Sequence, residues 1–268
     1  MDGLELEETP ASTAGVSEQQ LDNYTINPYW ITEFTACNGV VLTKKYTIFD
    51  GSLTTASSAN LYEGKYQTRS FETAKELNEY LTHLTSSQAV GIGIPANGSY
   101  SGDIVTKRAK NNTLEAISRS KNEFTFSSNL LFDIDHSSLN IDQVIPTLTQ
   151  IDPNLANASI LVRASSSYGI SMEGDEPDLT NCSYHVWVGG IKEQSDIARY
   201  GEDFAKYCWL NGYGEIKLSG TGAMLTRQLI DTAVFSPERL IFEADAILGD
   251  GVVQIERPFD IQEGRHHV

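Results

Sequence analysis

The sequence predicts an α+β fold of mixed β-sheets covered by helices. Three observations carry this expectation. Short runs rich in β-branched and aromatic residues recur, notably 89–94, 130–135, 158–163 and 183–188. Between them, 71–85 and 196–210 space their apolar residues at helical intervals. Strands interleaved with helices bury themselves as sheets covered by helices. The chain has 268 residues, enough for a sizeable core as one large domain or two small ones.

Taken in order, residues 1–20 are acidic and rich in Ser, Thr and Gly, and are expected to be disordered. They lack a basic segment followed by an apolar one, so no signal peptide is expected. Strands are predicted at 39–43 and 46–49, closed by the Asp50-Gly51 turn signal. Residues 52–66, rich in Ser and Ala, read as loop. Ser70 is the expected cap of helix 71–85, whose Leu77, Leu81 and Leu84 form one stripe, with His83 beside it structural or exposed. Residues 89–94 read as a buried strand; their Gly-x-Gly lacks the helix and third glycine of a dinucleotide site. A long loop over 95–112 and a short helix near 113–119 lead to the strand 130–135.

A helix over about 141–151 follows, with Val144 and Leu148 inward and Pro146 as an interruption. Strand 158–163 runs into the small polar turn 164–169. After an acidic loop, strand 183–188 places Ser183, His185 and Trp187 on one face. Ser195 or Asp196 caps helix 196–210, which buries Ile197, Phe204 and Cys208 and stops at Gly212 and Gly214. A short strand at 215–219 precedes 225–235, where Arg227, Leu229 and Asp231 share a face if extended. Ser236-Pro237-Glu238 starts a short helix, and the pattern beyond 247 is sparse.

Composition narrows the function. The formal net charge is -17, which argues against a simple nucleic-acid coat protein, since phosphate contacts need Lys and Arg. The charge is uneven: Lys107, Arg108, Lys110, Arg119 and Lys121 fall within fifteen residues. Such a patch holds a polyanion weakly or is a solvated loop. Cys37, Cys182 and Cys208 are an odd number at wide spacing. They fit neither a disulfide framework nor a zinc knuckle, and suit a reducing, cytoplasmic setting as buried or half-buried thiols. No apolar run is long enough to cross a bilayer, so no membrane partner is expected.

The chemistry centres on Leu130-Leu131-Phe132-Asp133-Ile134-Asp135. On a strand, Asp133 and Asp135 share one face while Phe132 and Ile134 point into a core. Two neighbouring carboxylates repel unless a cation sits between them. An Asp-x-Asp alone is equally a turn signal or a solvated pair. Two further signals follow on predicted strands: Ser183-Tyr184-His185, and Leu229-Ile230-Asp231. Asp133, Asp135 and Asp231 can form a carboxylate cluster for two hard cations, with His185 on a phosphate and Ser183 beside it.

LLFDID, SYH and LID, in this order, resemble the motifs of the archaeo-eukaryotic primase superfamily, most closely its phage- and plasmid-type primase-polymerases. RASSSYG before the histidine motif, RQLIDTAVFSPERLIFE around the third acid, and LTKKYTIFDG near the start are similar too. The similarity spans roughly 36–245 and is specific mainly at the three motifs. It implies a primase-polymerase catalytic fold over 21–268, in two α/β submodules with a boundary near 120–130, one of them RNA-recognition-like. It implies Mg²⁺ or Mn²⁺ as cofactor, nucleoside triphosphates as substrates and a single-stranded DNA template, in phage or plasmid replication within the host cytoplasm.

Carried over by position, Asp133, Asp135 and Asp231 match the metal carboxylates. Many members carry Glu where Asp135 stands. His185 matches the phosphate-binding histidine, with Ser183 as its partner. Ser165 and Ser167 fall where a nucleotide pocket is expected. Lys217, Arg227 and Arg239 are candidates for triphosphate or template, and equally for ion pairs. Lys107, Arg108 and Lys110 are candidate DNA contacts. The acidic surface implies that a replicative helicase domain or partner protein supplies grip on DNA. Two other readings stay open: a metal-dependent nuclease or replication-initiator endonuclease, disfavoured because His185 has no His-x-His partner, and a non-catalytic replisome module.

Overall fold

A computed structural model describes residues 29–57, 60–110, 115–180, 182–191 and 197–264. The expected tail 1–20, the caps Ser195 and Asp196, and residues 111–114 lie outside them. In chain order, β1 (Tyr29–Ala36), β2 (Lys44–Phe49), β3 (Ser52–Ser57) and β4 (Glu63–Phe71) precede helix α1 (Ala74–Thr82). Strands β5 (Gln88–Gly91), β6 (Gly93–Pro95) and β7 (Ser101–Val105) lead to the single-turn helix α2 (Lys107–Lys110), then β8 (Ile117–Ser118) and β9 (Phe124–Phe126). The second half holds β10 (Leu130–Ser137), α3 (Ile141–Ile151), β11 (Ser159–Ala164), β12 (Ile170–Met172), β13 (Cys182–Gly189) and α4 (Ile197–Leu210). It closes with β14 (Gly214–Leu218), β15 (Met224–Gln228), β16 (Ile247–Leu248), β17 (Val252–Gln254) and β18 (Phe259–Gln262). The fold is mixed α/β, with several sheets and few helices.

Two sheets organise it. The first runs β5-β1-β4-β7-β8 and the second β10-β13-β11-β18. Strand β1 alternates its faces: Tyr29 and Ile31 enter the main core, while Phe34 and Ala36 enter a smaller one with Tyr66, Ile104 and Phe124. Helix α1 touches both sheets, contacting β4 and β11. Its Leu77 and Leu81, with Leu84 just beyond, are buried as the spacing predicts. Thr73 caps α1 three residues beyond the expected Ser70, its hydroxyl accepting the Glu76 N–H at 3.1 Å.

The second sheet is covered on its other face by α3 and α4. Phe132, Ile134, Val162, Tyr184 and Val186 are all buried there, and the Phe132 ring lies 4.6 Å from that of Phe204. Helix α3 matches its expected span. Asn140 and Gln143 form a reciprocal capping box at 3.1 and 3.0 Å, and Pro146 sits on the exposed face of the helix.

Other expectations are corrected. Residues 39–43 are not a strand; Asn38 and Gly39 both take positive φ, 61° and 72°, and turn the chain there. Most of 52–66 is strand, not loop. Asp50 and Gly51, φ 49° and 70°, make a two-residue turn that folds β3 back on β2. Strand 89–94 is broken between Gly91 and Gly93. A Cβ on Gly93 would stand 2.4 Å from the Pro237 carbonyl oxygen, so the chain crosses there at a distance only glycine allows. The 95–112 loop contains β7 and α2, Ile117–Ser118 is strand, and 236–238 form a turn rather than a helix. The stretch past 247 supplies three strands, of which β18 completes the second sheet.

Candidate functional site

Cross-strand register builds the site. Asp133 on β10 stands opposite His185 on β13, and His185 opposite Arg163 on β11. On the far edge of β10, Ile134 pairs with Ile230, and the Asp231 N–H donates to the Asp133 carbonyl at 2.7 Å. Asp231 therefore opposes Asp133. One row across four segments reads Asp231, Asp133, His185, Arg163. Directly opposed side chains on one face lie about 4.5–5.5 Å apart at Cβ, so neighbours in this row interact.

Their charges are coupled. Burial raises the Asp133 carboxyl above its ordinary value; His185 opposes that, while Asp135 and Asp231 push it further up and Lys44 pulls it down. His185 Nε2 stands 3.8 Å from Asp133 Oδ1. Asp135 is exposed one step along β10. Asp231 Oδ1 accepts the Ala233 N–H at 2.9 Å and caps a short 3₁₀ turn. Among the described residues, no three acid, His or Cys side chains already form a metal-ligand group. The donors are nevertheless of the right kind: hard carboxylate oxygens whose mutual repulsion a divalent cation would relieve.

Glu243, which no sequence pattern singled out, orders the row. It is fully buried, and its Oε1 accepts from His185 Nδ1 and from Trp187 Nε1, each at 2.9 Å. Its Oε2 accepts from Arg163 Nε at 3.2 Å, and its backbone carbonyl accepts from Arg257 Nη2 at 3.0 Å. Burial alone would raise the Glu243 carboxyl. The charge and hydrogen bond of His185, with Arg163 and Arg257, outweigh burial and hold it far below the usual carboxylate range. Burial would likewise lower the His185 imidazole, but Glu243, Asp133 and Asp135 hold it above its ordinary value. With Nδ1 donating to Glu243, Nε2 is turned toward Asp133. The only sequence hint of Glu243 was the proximity of Phe242-Glu243 to the third motif. It lies in irregular chain, where no periodicity marks a buried acid.

A cleft of about 710 Å³ opens beside the row. Asp135 and Asp231 line it from the sheet, and Lys217 and Arg227 line it from the β14–β15 hairpin. Asp133 and His185 do not line it. Lys217 pairs with Glu215 at 2.9 Å, both largely exposed. Ser183 is buried on the His185 face, and its carbonyl accepts the Ser165 N–H at 2.9 Å. The Ser165 and Ser167 hydroxyls are 2.8 Å apart, and Ser167 also bonds the Tyr46 side chain.

Not all candidates converge. Arg239 does not line the cleft; its N–H donates to the Ser236 carbonyl at 2.9 Å, and its own carbonyl lies against Gly91 of the first sheet. Lys107, Arg108 and Lys110 sit on α2, beyond β7 of the first sheet, and Lys110 pairs with Glu123. Compared with protein-family models, curated proteins and solved structures, the chain matches none.

Proposed function

We propose that this chain is a template-dependent primase-polymerase of the archaeo-eukaryotic primase kind. It would transfer nucleotides from nucleoside triphosphates onto a growing strand in phage or plasmid replication. The observation that carries the reading is the row Asp231, Asp133, His185 beside a cleft that opposes two carboxylates to two cations.

Asp133, Asp135 and Asp231 would hold Mg²⁺ or Mn²⁺, which when bound would activate the attacking hydroxyl and stabilise the leaving pyrophosphate. The chain's own groups do the rest. Lys217 and Arg227 draw the triphosphate into the cleft by charge, and Arg227 can grip phosphate oxygens with two N–H groups. His185, tethered at Nδ1, presents Nε2 on the acidic side as a donor to a phosphate oxygen. Glu243 keeps that orientation. The acidic body (net charge -17) limits independent grip on DNA, so a helicase domain or partner protein completes template binding.

The test is direct. The full chain is mixed with a single-stranded template, Mg²⁺ or Mn²⁺, and ribo- or deoxyribonucleotides, with Asp133→Ala in parallel. Primer synthesis or extension by the wild type alone is expected. No product, or equal product from the variant, rejects the reading. Cleavage of labelled DNA without nucleotides would assign a metal-dependent nuclease instead.

A further inference from the structure

Apart from the acidic row, a pocket of about 270 Å³ opens where the first sheet meets the start of β10. Trp30 of β1 and Tyr100 form an aromatic wall, with Pro95, Thr68, Ser127 and Ser128 around it. The two ring centroids are 6.2 Å apart and inclined by 38°. Trp30 is half-buried and Tyr100 is 65% exposed, so both rings combine an anchored base with an accessible face.

Two polar groups here lack partners. Thr68 lines the pocket; its Oγ1 is buried and makes no hydrogen bond. Asn129, directly after the two lining serines, is fully buried, and its Nδ2 is unpaired. Its Oδ1 accepts from the Trp30 N–H and the Ser127 hydroxyl, each at 2.8 Å. Both bonds need the oxygen, so the amide orientation is fixed and its N–H₂ remains an unmet donor. A buried donor without an acceptor is costly, and this one lies directly behind the serines of the pocket wall.

The lining sets the occupant's chemistry. No lining residue carries a charge, which disfavours a phosphate or carboxylate inside the pocket. Its volume lies just below the range of sites that enclose a whole drug-sized ligand, about 300–1,000 Å³. A single flat, neutral ring system with polar edges fits these features. Stacking on aromatic side chains is how proteins hold the bases of single strands. Tyr100 immediately precedes β7, and Lys107 and Arg108 follow its far end, about 20 Å away at strand rise. The strand's phosphates thus have cations within an extended reach.

We propose that this pocket is a base slot, taking one nucleobase of a single-stranded nucleic acid against Trp30 and Tyr100. Thr68, Ser127 and Ser128 border its polar edge. The slot takes its strand from the template-dependent reading above, and the test separates the two. Binding of a fluorescein-labelled oligothymidylate to the full chain is followed by anisotropy at low salt. It is compared with an abasic oligomer of equal length, which keeps the phosphates and lacks the bases.

The wild type is expected to prefer the base-bearing strand. Tyr100→Ala and Trp30→Ala each weaken that binding by about ten-fold and erase the preference, the scale of losing one base stack. Because Tyr100 is mostly exposed, its variant folds even where Trp30→Ala does not. Equal binding of the two oligomers, no binding of either, or unchanged affinity in Tyr100→Ala overturns the slot. A wild type that prefers bases but makes no product sinks the polymerase reading and leaves the slot standing.

Discussion

Replacing Glu243 by Gln keeps the shape of the side chain and one oxygen acceptor, and removes only its charge. In the wild type that charge faces Arg163, whose side chain is 6% exposed, and His185, whose side chain is 10% exposed. Neither can turn to water for compensation. Removing one partner of a buried ion pair costs about 3–5 kcal/mol. Gln still accepts from Trp187 or His185, which places the expected loss near the lower end, about 3 kcal/mol. At about 2–4 °C per kcal/mol for a chain of this size, the melting temperature falls by about 6–12 °C.

The pH dependence has a definite sign. Glu243's folded pKa is depressed, so its stabilisation is present above the ordinary carboxylate range and lost as pH falls toward the folded value. The wild type therefore loses stability in acid more steeply than Glu243→Gln. Urea unfolding from neutral pH into the acid range measures both effects. A loss under about 1 kcal/mol at neutral pH, the size of an ordinary surface change, would refute the account. So would an acid limb equally steep in the two proteins.

Other outcomes follow from the same contacts. Asp133 has a raised folded pKa, so its carboxylate opposes folding at neutral pH. Asp133→Asn should melt at or above the wild-type temperature while losing primer synthesis, and Mg²⁺ should raise the melting temperature of the wild type more than that of the variant. Phe132→Ala empties a site ringed by Phe204, Tyr200 and Phe235, and should cost about 3–5 kcal/mol in urea unfolding. A Cβ on Gly201 would meet the Phe235 ring at 2.3 Å. Gly201→Ala should therefore destabilise by about 1–3 kcal/mol, although alanine favours helix.

The sequence revealed what local pattern controls. Helix α3 was legible from the spacing of Val144 and Leu148 alone; its Asn140–Gln143 capping box was not read from the sequence. Strand β13 was legible at 183–188 because aromatic and β-branched residues crowd there, and the strand runs one residue further at each end. Strand β3 was not, since Ser, Thr and Ala along an exposed edge leave no alternation to detect. The row was partly legible: Asp133, His185 and Asp231 announce themselves by spacing, and register then places them side by side. Arg163 was visible only as the end of a strand. Glu243 stayed hidden because its burial depends on three basic partners separated from it by 14 to 80 residues. Arg239 drew notice by its nearness in sequence to Asp231, yet the intervening turn carries it to the other sheet.

The path of the chain around residues 237–248 has a temporal consequence. Ile241 bridges Val90, Thr43 donates to the Ala244 and Asp245 carbonyls, and Ile247 pairs with Lys45. Strand β18 then joins the central sheet from near residue 260. During synthesis Asp133, Asp135 and His185 emerge well before these closing segments, and Asp231 just before them. A nascent chain lacking them would leave His185 Nδ1 without its Glu243 acceptor, while Arg163 would keep its bonds to Asn78 and Thr82. The row is thus completed only when these later residues stitch into the earlier ones.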